Sequence, residues 1–353
     1  MGTATGKHGW SVRSILARTL SQGYILALLI LIALFGVYYF SATDVLSTFN
    51  MANLLTNGAP LVLAATGLTL VIVVGGFDLS LAGVVVLANV ILATRAGTTL
   101  ESGVLATLIV LGAGLFVGAL NGFLVAYLGV QSIAATLGTY IMCTGISLVI
   151  LPTPGGSVPR FISPGLTQSI GGLIPVPLIV VLLCIAGWAA MRRTPFGVHM
   201  YAVGDDERAA MQSGISVAWV KFRVYLFAGL VYAVAGIMLS AQTASGDPNV
   251  SALFMVLTFA AVAIGGVRFG GGRGTAVGSI FGAGILIVLQ KTLFAVGVST
   301  FYTGIVQGAV LIAAVLVGQL SVRLATRAET SLESAAGGGS IVNIVDADSQ
   351  TGE

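Results

Sequence analysis

The sequence predicts an all-α integral membrane protein of about ten transmembrane helices, with both termini cytoplasmic and two pseudo-repeated halves. Composition and one long charge-free run lead there. Only 8% of the 353 residues are charged, where a soluble domain carries roughly 25%. The hydrophobic fraction is 57% and the mean hydropathy +1.04, more than a single water-soluble core buries. Residues 102–159 contain no Asp, Glu, Lys or Arg at all. The 48 glycines suit membrane helices whose backbones approach closely. A formal net charge of +3 is too small to argue for a nucleic-acid partner. Cys143 and Cys184 lie in apolar runs and read as small buried hydrophobes, not as a disulfide or metal pair.

Residues 1–23 form a polar, basic cytoplasmic segment (Lys7, Arg13, Arg18), followed by an apolar run over 24–40. It is similar to a signal peptide, but no small-x-small cleavage site follows and more spans come after it, so it is read as an uncleaved first helix. Further spans are expected at 54–74, 79–95, 102–127, 132–151, 175–191, 220–242, 251–267, 274–291 and 301–320. Some are nearer 17 than 20 residues, still enough to cross a bilayer. An even number puts both termini on one side. With the N-terminus inside, twelve Lys and Arg face the cytoplasm and three (Arg95, Arg160, Lys291) face out, a clear positive-inside bias. The transmembrane domain is thus 24–320, and the acidic, glycine-containing tail 321–353 is expected to be cytoplasmic and disordered. The outer loop 151–174 and the start of the next helix hold six of the nine prolines, which stiffens that connection. Spans two to five and seven to ten begin on opposite faces, as in inverted-repeat transporters.

The longest polar interruption is 192–215, within a cytoplasmic loop spanning 192–218. It has the makings of a short helix. Asp205 or Asp206 can N-cap it, Glu207 favours the positive end of its dipole, and Gly214 can take the left-handed position that ends it. Two turns do not hold themselves helical in water, so this helix needs something to lean on. A partner protein is the expected support.

Few stretches carry chemistry. GGFDLS (75–80) places Asp78 between two apolar runs; capping of the next helix is the favoured role, and a gate or ion site the alternative. Asp247 reads as a turn residue. The glycine-rich run 264–279 lacks any G-x-x-x-x-G-K-[ST] and is read as close packing around a turn, so the chain has no nucleotide engine of its own. Polar residues inside the spans, among them Asn57, Asn89, Asn121, Thr136, Thr139 and Ser80 beside Asp78, are candidates to line a path for a hydroxylated solute; interhelical hydrogen bonding is their plainer role. His8 and His199 lie outside the spans, leaving no basis for a metal site or catalysis.

Four stretches together carry a resemblance: TPFGVHMYAVGDDERAAMQSGI (194–215), GGFDLS, NGFLVAYLGVQSIAATLGT (121–139) and IGGVRFGGGRGTAVGSIFGA (264–283). They resemble the permease subunits of ABC importers for ribose, xylose and related monosaccharides, over about residues 50–320. The resemblance implies a bacterial inner-membrane, multi-pass, non-enzymatic subunit that pairs with a second permease, identical or paralogous. It also implies two ABC ATPase subunits, which would hold ATP and Mg, and a soluble substrate-binding protein delivering the solute. On this chain, Gly204, Asp205, Asp206, Glu207, Arg208, Ala209, Ala210 and Gly214 would form the coupling helix seated in the ATPase. Three positions depart from the family pattern. Asp206 stands where Asn is common, 249–264 lacks an expected acid, and Gln290-Lys291 replaces a frequent Asn-Gly. A non-ribose monosaccharide, a polyol, a furanose signalling compound and a nucleoside remain open. The competing class is a proton- or sodium-coupled secondary transporter using Asp78.

Overall fold

The computed structural model describes residues 23–97, 99–299, 302, 304–309 and 312. The N-terminal basic segment, most of the expected last span at 301–320 and the tail 321–353 lie outside the described residues. Eleven helices are defined among those described: α1 (Gly23–Ser41), α2 (Thr48–Val73), α3 (Ser80–Arg95), α4 (Leu100–Ala126), α5 (Ser132–Ile150), α6 (Val176–Arg192), α7 (Pro195–Asp205), α8 (Glu207–Gln212), α9 (Val217–Thr243), α10 (Ser251–Ile264) and α11 (Ala276–Ala295). One short antiparallel hairpin, β1 (Ser169–Ile170) with β2 (Ile174–Pro175), precedes α6. Among the described residues, six helices are long and apolar enough to cross a membrane: α1, α2, α4, α5, α9 and α11. A seventh crossing arises if α6 and α7 count together, although they meet at 80°. The apolar helices α3 and α10 are shorter.

The helices follow the apolar segments, and their ends follow capping chemistry. α2 starts at Thr48, six residues ahead of its apolar run, because Ser47 Oγ accepts the Asn50 N–H (3.2 Å). It ends in a Schellman turn: Gly75 N–H donates to Ile72 O and Gly76 N–H to Val71 O, with Gly75 at φ +79°. The same pair of bonds closes α10, from Gly266 to Ala263 and from Val267 to Val262. Gly75 and Gly266 take the positive φ these turns need, while a Cβ on Gly76 would lie 2.6 Å from Tyr225 Oη and one on Gly265 2.4 Å from Gly278 C.

α9 is central, packing most extensively on α4, α2 and α3. α2 is buried along its whole length from Ala59 to Val73. By contrast α1 buries only Ala27 and rests on α11, its other side chains largely exposed and apolar, as suits a lipid-facing helix. The α4–α9 seam explains a glycine repeat in the sequence. Gly114, Gly118 and Gly122 recur every fourth residue and present one glycine face to α9. A Cβ at Gly114 would lie 2.5 Å from Gly229 O, at Gly118 2.5 Å from Tyr225 O, and at Gly122 3.0 Å from Phe222 O. Close approach of small residues is how membrane helices gain packing energy without a hydrophobic drive.

The connections gather into two groups. In one, the turn after α2 meets the α7–α8 region and the 265–274 loop, with Gly272 N–H donating to Val73 O (2.9 Å). In the other, the proline-rich loop is tied to the α9–α10 connection and the end of α3. Gly155 and Gly246 exchange backbone bonds, Ser157 N–H donates to Ala93 O and Val158 N–H to Ala244 O.

Candidate functional site

The polar stretch 192–215 folds as two short helices rather than one. α7 has its own start signal: Thr194 Oγ1 accepts the Gly197 N–H (3.2 Å), and Pro195 occupies the first turn. Proline there loses no helical bond. Asp205 is the last residue of α7, and Asp206 is the N-cap of α8. Its Oδ1 accepts from the N–H groups of Arg208 (2.8 Å) and Ala209 (3.0 Å). α8 closes in another Schellman turn, Gly214 N–H to Met211 O and Ile215 N–H to Ala210 O, with Gly214 at φ +81°. Ala210 faces inward, and Glu207 pairs with Lys221 at the start of α9 (2.6 Å). Met211 is 59% exposed, an apolar side chain held outward on a two-turn helix.

The end of α7 is wedged against the rest of the bundle at Gly204. A Cβ there would lie 1.7 Å from Val73 O and 2.6 Å from Gly272 N. Nearby, Tyr201 Oη donates to Gly274 O (2.6 Å), and a Cβ on Gly271 would meet Gly204 O at 2.6 Å. The glycine-rich run thus holds the end of α7 against the end of α2. Arg192 stacks over the Tyr201 ring, 5.6 Å from its centroid.

Directly beyond Val73 lies the GGFDLS break. Asp78 is 1% exposed, and its Oδ1 accepts both the Ser80 N–H (2.9 Å) and the Ser80 hydroxyl (2.5 Å). It thereby takes one first-turn N–H of α3 from the position before the N-cap, Leu79, which makes no side-chain cap bond of its own; the sequence favoured a capping role for Asp78. From Ser80 the bonding continues across helices: Asn121 Nδ2 donates to Ser80 Oγ (2.9 Å) and Thr139 Oγ1 to Asn121 Oδ1 (2.9 Å). Thr136 Oγ1 accepts the Leu79 N–H (3.1 Å) and Ser132 Oγ the Phe77 N–H (3.2 Å). Tyr225 Oη donates to Phe77 O (3.1 Å). The backbone break is therefore stitched by α4, α5 and α9 side chains, as a buried carboxylate and open peptide groups require. Tyr232 Oη is buried near the Asp78 carboxylate without reaching hydrogen-bond geometry. Below the break, Phe77, Phe259 and Phe269 stack with centroids 5.9 to 6.5 Å apart.

Five of the seven candidate path residues (Asp78, Ser80, Asn121, Thr136, Thr139) thus belong to one buried network. The other two sit at the opposite end of α3 and α9. Asn89 is buried, donating to Ser240 Oγ (3.1 Å) and Ser245 O (2.9 Å) and accepting from Asp247 N–H (2.9 Å). Asp247 in turn accepts the Asn249 N–H, the turn role expected of it. Asn57 accepts from Gln242 Nε2 (2.9 Å) and donates to Asn53 Oδ1 (2.9 Å). The sequence reading missed Ser132, Tyr225 and the phenylalanine stack. Only their proximity to GGFDLS in space marks them, and no spacing in the chain reveals that.

A cavity of about 440 Å³ lies between α8 and the break, lined by Gly75, Gly76, Ser132, Glu207, Met211, Lys221 and Tyr225 among others.

The chain was compared with known proteins. The family described as the branched-chain amino acid transport system / permease component matches residues 50–315. The ribose import permease protein RbsC of Bacillus subtilis is 35% identical over 276 residues, covering 77% of this chain and 85% of that one. A probable ABC transporter permease protein, y4mJ of Sinorhizobium fredii, is 33% identical over 276 residues, 77% and 82% of the two chains. The galactose/methyl galactoside import permease protein MglC of Escherichia coli K12 is 29% identical over 310 residues, 82% and 92%. No solved structure matches the chain. The chain belongs to this permease-component family and is a multi-pass, non-catalytic transport subunit of the bacterial inner membrane.

Proposed function

We propose that this chain forms the membrane path of an ATP-driven importer for a small hydroxylated solute, most simply a monosaccharide, delivered by a soluble binding protein. The family description names branched-chain amino acids, whereas the similar permeases are named for ribose and galactose. The sugar reading follows those relatives. Two ATPase subunits would seat the α8 levers of a permease pair, identical or paralogous, from the cytoplasm. ATP and Mg reside in those subunits, and this chain binds no cofactor of its own.

The observation that carries the proposal is the backbone-to-backbone contact between the end of α7, directly before α8, and the end of α2. A displacement of α8 cannot be absorbed at Gly204, where backbone meets backbone, and passes on to Gly75–Ser80 and the phenylalanine stack. ATP-driven closure of the ATPases would bind one position of the lever better than the other and so shift the bundle between outward- and inward-open states. In this scheme the stacked rings of Phe77, Phe259 and Phe269 would close the path at the break.

The test is charge reversal on the lever, Glu207→Lys with Arg208→Glu, with ATPase co-purification and solute uptake measured. Both are expected to fall together. Because Glu207 also pairs with Lys221, a Glu207→Lys, Lys221→Glu swap restores the internal pair while leaving the outward charge altered. If the swap restores ATPase binding, the lever's acid acts only within the chain. If the first variant keeps full assembly and uptake, the coupling role is wrong. A proton-coupled carrier instead predicts uptake by this chain alone that an uncoupler abolishes.

A further inference from the structure

At the end of the bundle away from the lever, three helices bring together a polar group that the network around Asp78 does not include. Lys291, near the C-terminus of α11, donates through Nζ to Asn53 Oδ1 on α2 (2.7 Å). Asn57, one turn along α2, donates to the same oxygen, and Gln242 at the end of α9 donates to Asn57 (2.9 Å each). Lys291, Asn57 and Gln242 are half-buried, and Asn53, which accepts from the ammonium, is exposed. The one ion pair among the described residues is that of Lys221 and Glu207, so the Lys291 ammonium has no carboxylate partner there. Its three N–H donors exceed what Asn53 takes.

A half-buried cation in a membrane helix is costly and is ordinarily paired, or else marks a path for an ion or substrate. Here the flanking groups orient the ammonium but do not neutralise it. An unneutralised ammonium held beside amide groups selects an oxygen anion, through charge-assisted hydrogen bonds that are shorter and stronger than neutral ones. The site stands on the same side of the bundle as the proline-rich loop and the α9–α10 connection, since it uses the α9 end that adjoins Ser245.

We infer that Asn53, Asn57, Gln242 and Lys291 form a subsite for an anionic oxygen group, a carboxylate or phosphate, carried by a solute entering the path or by a lipid headgroup. The inference rests on the importer reading only for the word path. A solute source would narrow that reading to acidic or phosphorylated sugars or related hydroxylated anions.

The test reads Lys291 itself. Purified full-length chain in lipid nanodiscs is modified with an amine-reactive reagent, and Lys291 modification is followed by mass spectrometry, with Lys221 as internal control. The probes are D-galacturonate, D-galactose and inorganic phosphate in phosphatidylcholine discs, and phosphatidylglycerol discs without solute. Slowing of Lys291 modification by about tenfold or more, the scale of one charged hydrogen bond, with galacturonate or phosphate supports a solute source. Equal slowing in phosphatidylglycerol discs alone supports the lipid source. A Lys291→Arg variant, whose residue 291 is blind to the reagent, is compared with Lys291→Met by galacturonate binding calorimetry in phosphatidylcholine discs and by phosphatidylglycerol retention. Arg retains the anion and Met loses it. No slowing by any anion, or equal slowing by galactose and galacturonate, overturns the inference. No ATPase is present in these measurements, so they can fail while ATP-driven import stands, and the reverse.

Discussion

Gly204→Ala isolates the joint. In an open helix this change is favourable by about 1 kcal/mol, because alanine is the better helix former, and Gly204 lies inside α7 without a positive φ. At this joint the added methyl would sit 1.7 Å from Val73 O. An ordinary carbon–oxygen approach is about 3.3 Å, so the end of α7 must retreat by about 1.6 Å. Without that retreat the methyl crowds both partners of the bond from Gly272 N–H to Val73 O (2.9 Å), since it would also lie 2.6 Å from Gly272 N. Overpacking costs about 1–3 kcal/mol and a lost hydrogen bond about 1 kcal/mol, which together outweigh the gain in propensity. The variant should be less stable than the parent by about 1–3 kcal/mol in thermal unfolding in detergent. More tellingly, uptake should fall more than ATPase co-purification does, because α8 and its outward surface are intact while the joint behind them is not. A Gly204→Ala protein as stable as the parent, with uptake undiminished, would refute the wedge and the route of force drawn through it.

Other residues give further outcomes. Asp78→Asn keeps an oxygen that can accept from Ser80 N–H and Oγ, so the variant should fold and transport nearly normally; loss of uptake in a stable, assembled protein would point to titration of Asp78 instead. Gly118→Ala would press a methyl to 2.5 Å from Tyr225 O and part α4 from α9, costing about 1–3 kcal/mol, read as a lowered unfolding midpoint. Asn89→Ala removes both donations and the acceptance from Asp247. With membrane hydrogen bonds averaging about 0.6 kcal/mol, the loss should be modest in stability but plain in faster proteolysis of the 244–250 connection.

Much of this architecture can be read from the chain because its determinants are local. Apolar length marks α1 to α6 and α9 to α11, and the caps of α8 follow from Asp206 and Gly214, whose bonds span two to five residues. The same logic places turns at Gly75-Gly76 and Gly265-Gly266. α7 was equally local, since Thr194-Pro195 is a helix start, yet it hid in a stretch whose charges draw attention to α8. What stays out of reach is which polar side chain meets which. Asn121, Ser80 and Thr139 are far apart in sequence, and each could as well have faced lipid or a path. The glycines of α4 show a four-residue repeat, but only the position of α9 turns the repeat into a seam. The joint at Gly204 is likewise invisible beforehand, because it needs Val73 and Gly272 at once.

The sidedness and exposure of α8 test the account most directly. In a background carrying Cys143→Ala and Cys184→Ala, Met211→Cys is treated with a membrane-impermeant maleimide in right-side-out and inverted vesicles. The account predicts labelling only in inverted vesicles, and protection there once the ATPase subunits are bound. Labelling from the outer face, or no protection by bound ATPase, would contradict it.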